Sequence, residues 1–394
     1  MALKLLAELP ANMERDNLEL QLQQSLGSAL AAGKGFGAAE TIQAYKRALD
    51  LCNNFEHSPQ TFAVLNGIIA FHVVRGEFEQ SRALAEDLMA RARQQDDSTP
   101  RLMGHRALGM SLFLIGELAA ARDQLRTSLE LYDAACHGAL APIFSQTYLA
   151  LASVLLGDID GGLAHGRDAV YHAEQQRHPH SICNALAFLA GAHVLCGDAE
   201  AAYPVAERTV ALACEYSFPL WLAGGQMLRG WARFNLEDTE QGLAEIRQSV
   251  KALEATGALI WVQFARYLLA QALAKAEQLT DAMKLVDQTL MMVAGTSGRW
   301  YEAELHRLKG DLLLHGGDST AAAEACYERA IAVAARQGAR LWQLRATNAL
   351  AALWGAQGRL PEVHAWVAPL YASFDKQIMS ADLRQAKALL ANST

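Results

Sequence analysis

The side chains of this chain are spaced for holding something more than for reacting with it. Arg106, Asn184 and Trp231 stand ten, thirteen and six residues before a recurrent break in an apolar helical pattern, and Phe264, Tyr267, Arg307, Arg345 and Asn348 fall in the same three columns. In a stack of helical hairpins such columns face the concave side, where arginine, asparagine and aromatic rings can clamp a peptide or a segment of a neighbouring domain. Glu304, Arg307 and Asp311 also carry the three- and four-residue spacing of ion pairs within one helix. A second column, sixteen residues before the break, holds Trp221, Trp261, Tyr301 and Trp342, with Trp300 beside it. The expectation for this column is a stack between repeats; a ligand-facing rim is the alternative.

Reaction chemistry is hard to find. The nearest approach to a phosphate-binding loop, Ala32-Gly33-Lys34-Gly35-Phe36-Gly37, has its glycines in the wrong order and no hydroxyl after the lysine. There is no G-x-S-x-G elbow, no H-E-x-x-H helix and no dinucleotide fingerprint. His172, His178 and His180 cluster across a helix end and a proline turn, but no cysteine or carboxylate at ligand spacing completes a metal site. The expectation is a protein with no catalytic residues, no cofactor and no metal.

The elements that must position these columns come from a repeat. The apolar pattern breaks at Gly35, Gly76, Gly116, Gly157, Gly197, Glu237, Glu277, Gly317 and Gly358, spaced by 40 or 41 residues. Self-similarity at that period marks a solenoid. Seven residues before each break the side chain is small in eight cases of nine, and five after it small residues recur. Two small sites twelve apart let the helices of a hairpin approach closely. First helices are expected near 58–75, 99–115, 141–156, 179–196, 218–235, 259–276, 299–315 and 340–357. Acids follow several breaks, as in Gly76-Glu77, Gly116-Glu117, Gly157-Asp158 and Gly197-Asp198, where they are expected to cap the second helix or to favour its positive end.

Composition agrees with one continuous all-α stack. Apolar residues make up 52% of the 394, prolines number nine, and the formal net charge is −8. That charge removes the broad basic field that would capture nucleic acid or anionic lipid. The six cysteines lie far apart without paired spacing, which argues for buried thiols in a reducing compartment, the cytoplasm. No apolar run has the length of a membrane helix.

The order aliphatic then small in the first helix, and small again in the second, resembles the tetratricopeptide repeat, lengthened from 34 residues to about 40. The resemblance implies a right-handed superhelical solenoid of about nine antiparallel hairpins. The expected division is the end of a truncated repeat at 1–13, hairpins over 14–375, and a capping helix and tail at 376–394.

More particular strings resemble the C-terminal helical region of bacterial STAND-type ATPases, including those fused to class III nucleotide cyclases. At the start these are Leu9-Pro10, Glu14-Arg15, Glu19-Leu20, Leu26-Gly27-x-Ala29-Leu30 and Lys34-Gly35-Phe36. Towards the end they are Glu304 to Leu313, Ala323 to Tyr327, Ala334 to Ala339, Leu370-Tyr371-x-x-Phe374 and Ala381-Asp382-Leu383-Arg384-x-Ala386-Lys387. In that family the arm follows a nucleotide-binding switch module and senses an effector. The resemblance therefore implies a noncatalytic regulatory domain whose partner is a protein segment, a peptide or a small effector. The phosphate-binding and cyclase modules themselves have no counterpart in this sequence. A stand-alone cytoplasmic peptide sensor and a passive assembly scaffold are the competing readings. A homo-oligomer is compatible with an apolar face over residues 1–30. The segment from Trp221 to Asn348, where the repeat changes its chemistry, is the expected seat of any specialised region.

Overall fold

The computed structural model describes every residue except 1, 7, 11, 35–36, 53–59, 96, 139, 237, 256, 318, 375–379 and 394, and the side chains of 4 and 32–34. Two of the nine breaks, Gly35 and Glu237, and Phe36 of the glycine-rich string at 32–37 therefore lie outside the described residues. Among the described residues the secondary structure is helical throughout.

The first helices of the hairpins are α2 (Met13–Lys34), α4 (Gln60–Val74), α6 (Ser98–Ile115), α8 (Ala141–Leu155), α10 (Pro179–Leu195), α12 (Pro219–Asn235), α14 (Val262–Lys275), α16 (Glu302–His315) and α18 (Arg340–Ala356). The returning helices are α3 (Ala39–Cys52), α5 (Phe78–Ala92), α7 (Leu118–Glu130), α9 (Ile159–Gln175), α11 (Ala199–Glu215), α13 (Thr239–Ala255), α15 (Leu279–Gly295), α17 (Thr320–Gln337) and α19 (Leu360–Ala372). Helix α1 (Ala2–Leu6) precedes them, and α20 (Ala381–Ala391) packs against α18 and α19. The result is a right-handed tetratricopeptide-like solenoid with a repeat of about 40 residues and about nine hairpins.

Local chemistry explains the beat. Gly76, Gly116, Gly157, Gly197, Gly317 and Gly358 all adopt left-handed backbone, with φ between 72° and 95°. Glycine reaches that region without steric cost and so ends each first helix cleanly. Glu277 keeps the same conformation at φ 59° despite its Cβ. The small pair is equally literal at Gly230 and Gly242, where a Cβ on Gly242 would lie 2.7 Å from the Gly230 carbonyl oxygen.

Capping follows side-chain length. Asp158 and Asp198 accept from the backbone N–H groups of Gly161 and Ala201 at 3.0 Å. Glu77 and Glu117 make no such bond but stand at the positive ends of α5 and α7, the second of the two expected roles. One methylene longer, they reach neighbouring side chains instead, His72 Nδ1 at 2.6 Å and Arg82 Nη1 at 3.0 Å. Helices α14 and α16 start three residues later than the pattern implies. A 3-10 turn at Leu259–Trp261 and a turn at Trp300 and Tyr301 occupy the first positions, where large aromatics pack.

Beyond the repeat, the superhelix closes on itself. A Cβ at Gly76 would meet Leu259 Cβ at 3.1 Å, and one at Gly197 would meet Ala381 Cβ at 3.4 Å. Arg299 N–H donates to the Leu114 carbonyl at 3.1 Å, and Arg340 Nε to the Leu156 carbonyl at 2.9 Å. These four pairs are separated by 183, 184, 185 and 184 residues, so the breaks at Gly76, Gly116 and Gly157 meet the starts of first helices four to five repeats later, and that at Gly197 meets the start of α20. The last carbonyls of a helix have no partner within it and sit at its negative end. One carbonyl at the end of each of α6, α8 and α10, that of Leu114, Leu156 and Leu195, accepts from a distant donor, Arg299 N–H, Arg340 Nε and Arg345 Nη2.

Aromatic rings fill the seam. Phe113 lies 5.2 Å from Trp300, Phe188 lies 5.1 Å from Trp261, and Tyr148 bridges Phe113 and Phe188 at 5.6 and 4.8 Å between centroids. These separations suit edge and tilted contacts, each worth about 0.5–1.5 kcal/mol beyond the area buried.

Candidate ligand cleft

Where the seam opens, consecutive first helices line a cleft of about 200 Å³. Asn66, Ile69 and Val73 come from α4, Arg106 and Met110 from α6, Phe144 and Tyr148 from α8, and His180, Asn184 and Phe188 from α10. Trp221 of α12, with Ile260 and Trp261 of the 3-10 turn, closes the far wall. Phe188, Leu220, Trp221 and Trp261 also line a second, apolar cavity of only about 20 Å³ reaching towards Met227 and Trp300.

Arg106 is the charged group of the cleft. Its Nη2 donates to Asn66 Oδ1 at 3.1 Å, and its guanidinium lies 6.0 Å from the Phe144 ring. Among the described residues no carboxylate pairs with it. Desolvation, with nothing to offset it, pulls its pKa down to about 10. Asn184 is 2% exposed and its Oδ1 has no hydrogen-bond partner. Such an atom normally costs about 1–3 kcal/mol unless something fills it. His180 accepts from Trp221 Nε1 at 3.0 Å, which requires an unprotonated Nε2. Burial and the neighbouring His178 hold its pKa near 4, so the acceptor form prevails at neutral pH.

The structure divides the columned residues into two groups. Arg106, Asn184, Trp221 and Trp261 reach the cleft. Tyr267, Arg307, Arg345 and Asn348 are instead joined in a buried polar network. Glu304, fully buried, accepts from Tyr267 Oη at 2.8 Å, Arg307 Nε at 3.0 Å and Arg345 Nη1 at 3.0 Å. Arg345 also donates to both carboxylate oxygens of Asp382 at 2.9 and 2.8 Å, and Asn348 Nδ2 donates to the Asp382 carbonyl at 2.8 Å. The intrahelical pairs read from spacing are present, Arg307 bonding Glu304 and Asp311. Burial would raise the Glu304 carboxyl, but Arg307 and Arg345 outweigh it and hold its pKa down to about 2.

Phe264, Tyr301 and Trp342 are also inside, with Phe264 to Tyr301 at 5.0 Å and Tyr301 to Trp342 at 5.0 Å. Trp231 is buried and donates to Gln271 Oε1 at 3.1 Å. The segment from Trp221 to Asn348 thus supplies the closure, while the cleft draws chiefly on α4 to α10. Asn66 and Phe144, absent from the columned candidates, stand ten and thirteen residues before Gly76 and Gly157, so the same periodicity locates them. His180 lies outside the columns; His178, its neighbour in the histidine cluster, accepts from the Ser181 N–H at the start of α10.

No protein-family model matches the sequence. The chain is 21% identical over 368 residues to an uncharacterised protein of Rhizobium meliloti (strain 1021), an alignment covering 91% of this chain and 36% of that protein. The chain therefore spans about a third of the length of that relative. Among solved structures, a Rap protein complexed with Competence and Sporulation Factor aligns with a TM-score of 0.65 at 12% identity, covering 97% of this chain and all of the other. NprR in complex with its cognate peptide NprX aligns at 0.54 and 14%, covering 77% of this chain and 86% of NprR. Aspartyl phosphate phosphatase F from Bacillus subtilis aligns at 0.51 and 11%, covering 81% of this chain and 95% of the phosphatase. At these identities the likeness is one of fold, and the fold is that of the tetratricopeptide-like helical-repeat proteins.

Proposed function

We propose that the protein is a noncatalytic, cytoplasmic peptide-binding sensor whose ligand occupies the cleft between α4 and α12. The observation that carries this reading is the unfilled Asn184 Oδ1 beside an acid-free Arg106 in a mainly apolar cleft. A concave apolar site with a few convergent polar groups is the usual form of a ligand pocket. That Rap and NprR were solved with Competence and Sporulation Factor and with NprX on the same fold supports a peptide as the occupant. The test is intrinsic tryptophan fluorescence during titration with short peptides, because Trp221 and Trp261 line the wall. A saturable change, lost on Asn184→Leu with the far-ultraviolet spectrum intact, is expected; no saturable change with any peptide pool would overturn the reading.

A regulatory arm controlling an ATPase or cyclase-type output is a second reading. It is supported by the STAND-type strings at both ends and by the chain's correspondence to only 36% of a longer relative. Peptide occupancy would then be transmitted through the curvature of the superhelix. Expression of the arm beside its full-length parent, with nucleotide hydrolysis followed as peptide is added, tests it: a rate indifferent to peptide sinks this reading.

A further inference from the structure

We infer that Arg106 seats a free carboxylate carried at the end of an apolar group, and that Asn184 takes an N–H donor from the same ligand. In the setting of the peptide reading, on which this inference rests, that ligand is the C-terminal residue of a short hydrophobic peptide.

A guanidinium removed from water without an anion is unfavourable, and natural structures pair such groups. The buried arginines elsewhere in this chain follow that rule, Arg307 with Glu304 and Asp311, Arg345 with Glu304 and Asp382. Arg106 alone of these three faces a cleft, and it has only the neutral Asn66 amide. A guanidinium has five N–H donors in a planar fork that matches a carboxylate. Among the described residues only Asn66 accepts from it, so the fork can take a two-point contact from an incoming anion.

The surroundings narrow the class of anion. A phosphate carries more charge and more acceptor oxygens than one arginine can satisfy, and no second cation lines the cleft. The walls are Ile69, Val73, Met110, Phe188, Trp221 and Trp261, and the second cavity behind them is apolar. An apolar body beside a singly charged head fits this arrangement. The unfilled Asn184 oxygen asks for a donor, which the amide N–H of a terminal residue provides. A chain end also brings one peptide unit fewer to satisfy than an acidic side chain within a longer segment, and the cleft has few polar groups to offer.

The test compares matched ligands on the whole chain. A pool of acetylated tetrapeptides drawn from valine, isoleucine, leucine and phenylalanine is titrated as free acids, as C-terminal amides, and as amides with one internal glutamate. 4-Phenylbutyrate and its amide are titrated alongside. Fluorescence is expected to respond to the acids at about 10- to 100-fold lower concentration than to the amides. Arg106→Met is expected to abolish that preference and to raise the melting temperature of the ligand-free protein, because an unpaired desolvated charge is gone. Arg106→Lys, which keeps the charge but loses the fork, serves if the methionine variant does not fold, and should retain only part of the preference.

Equal binding of acid and amide overturns the carboxylate assignment and leaves the peptide reading standing. Binding of phenylbutyrate without any peptide overturns the peptide reading and leaves the carboxylate assignment. Amides with internal glutamate that match the free acids overturn the chain-end assignment, and silence from every probe overturns both.

Discussion

The Arg345 guanidinium donates to the Leu195 carbonyl oxygen at 2.6 Å, joining α18 to the C-terminus of α10 across 150 residues. The same side chain pairs with Glu304 and Asp382. One residue therefore ties two turns of the superhelix to the helix that follows the last hairpin. Burial of such a centre favours integrity over net gain, because removing one member strands the others.

Arg345→Met is accordingly expected to cost about 3–5 kcal/mol of unfolding free energy. Urea denaturation followed by circular dichroism measures it. A loss under about 1 kcal/mol, the value of an exposed pair, would contradict the buried network.

Glu304 gives the protein an acid limit. Its folded pKa is near 2 against an ordinary 4.5, so the stabilisation is complete above about pH 4.5. As pH falls from there, the unfolded chain takes up a proton that the folded one refuses. About 3 kcal/mol should drain away between pH 4.5 and pH 2. Glu304→Gln should flatten the denaturation profile over that window relative to the parent; an unchanged slope would remove Glu304 from the account.

Glu277 stands where glycine stands in most of the repeats, at φ 59°. Glu277→Gly should relieve left-handed strain and raise stability by about 1 kcal/mol, net of the added freedom of the unfolded chain. Gly157→Ala should do the opposite, since its φ is 95° and the new methyl would lie 3.1 Å from Phe374. Calorimetric melting of the two variants checks both signs together.

Phe113 and Trp300 are 187 positions apart in the sequence and 5.2 Å apart between ring centroids. Each truncation to alanine should cost about 3–5 kcal/mol. The double mutant should fall short of the sum by about 0.5–1.5 kcal/mol, the coupling of an aromatic pair. Strict additivity would mean that the two halves do not meet.

The helical elements were legible in the sequence because glycine at a left-handed position and small residues at a close crossing are local requirements. Gly230 with Gly242 and the run from Gly76 to Gly358 each state their geometry within a dozen residues. The cleft was half legible. Arg106 and Asn184 declared themselves by column, as Asn66 and Phe144 could have done. The pairs of Arg307 with Glu304 and Asp311 were readable from spacing, but that Glu304 is buried and shared with Arg345 of the next repeat was not, since the helical spacing alone does not say which face of α16 is covered. Phe113 and Phe188 were not readable as seam residues because their partners Trp300 and Trp261 lie 187 and 73 positions away.

The closure at 183 to 185 residues also bears on how the chain acquires its structure. An open solenoid is nearly one-dimensional: it nucleates anywhere, grows by neighbours and frays from its ends. Here the orphan carbonyls of Leu114, Leu156 and Leu195 find their donors only after residues near 299, 340 and 345 exist and have curved back. Long loops must close before those contacts form, which slows folding relative to local helix pairing. The early hairpins emerge from synthesis with an unsealed aromatic edge, and the seal arrives with the last third of the chain.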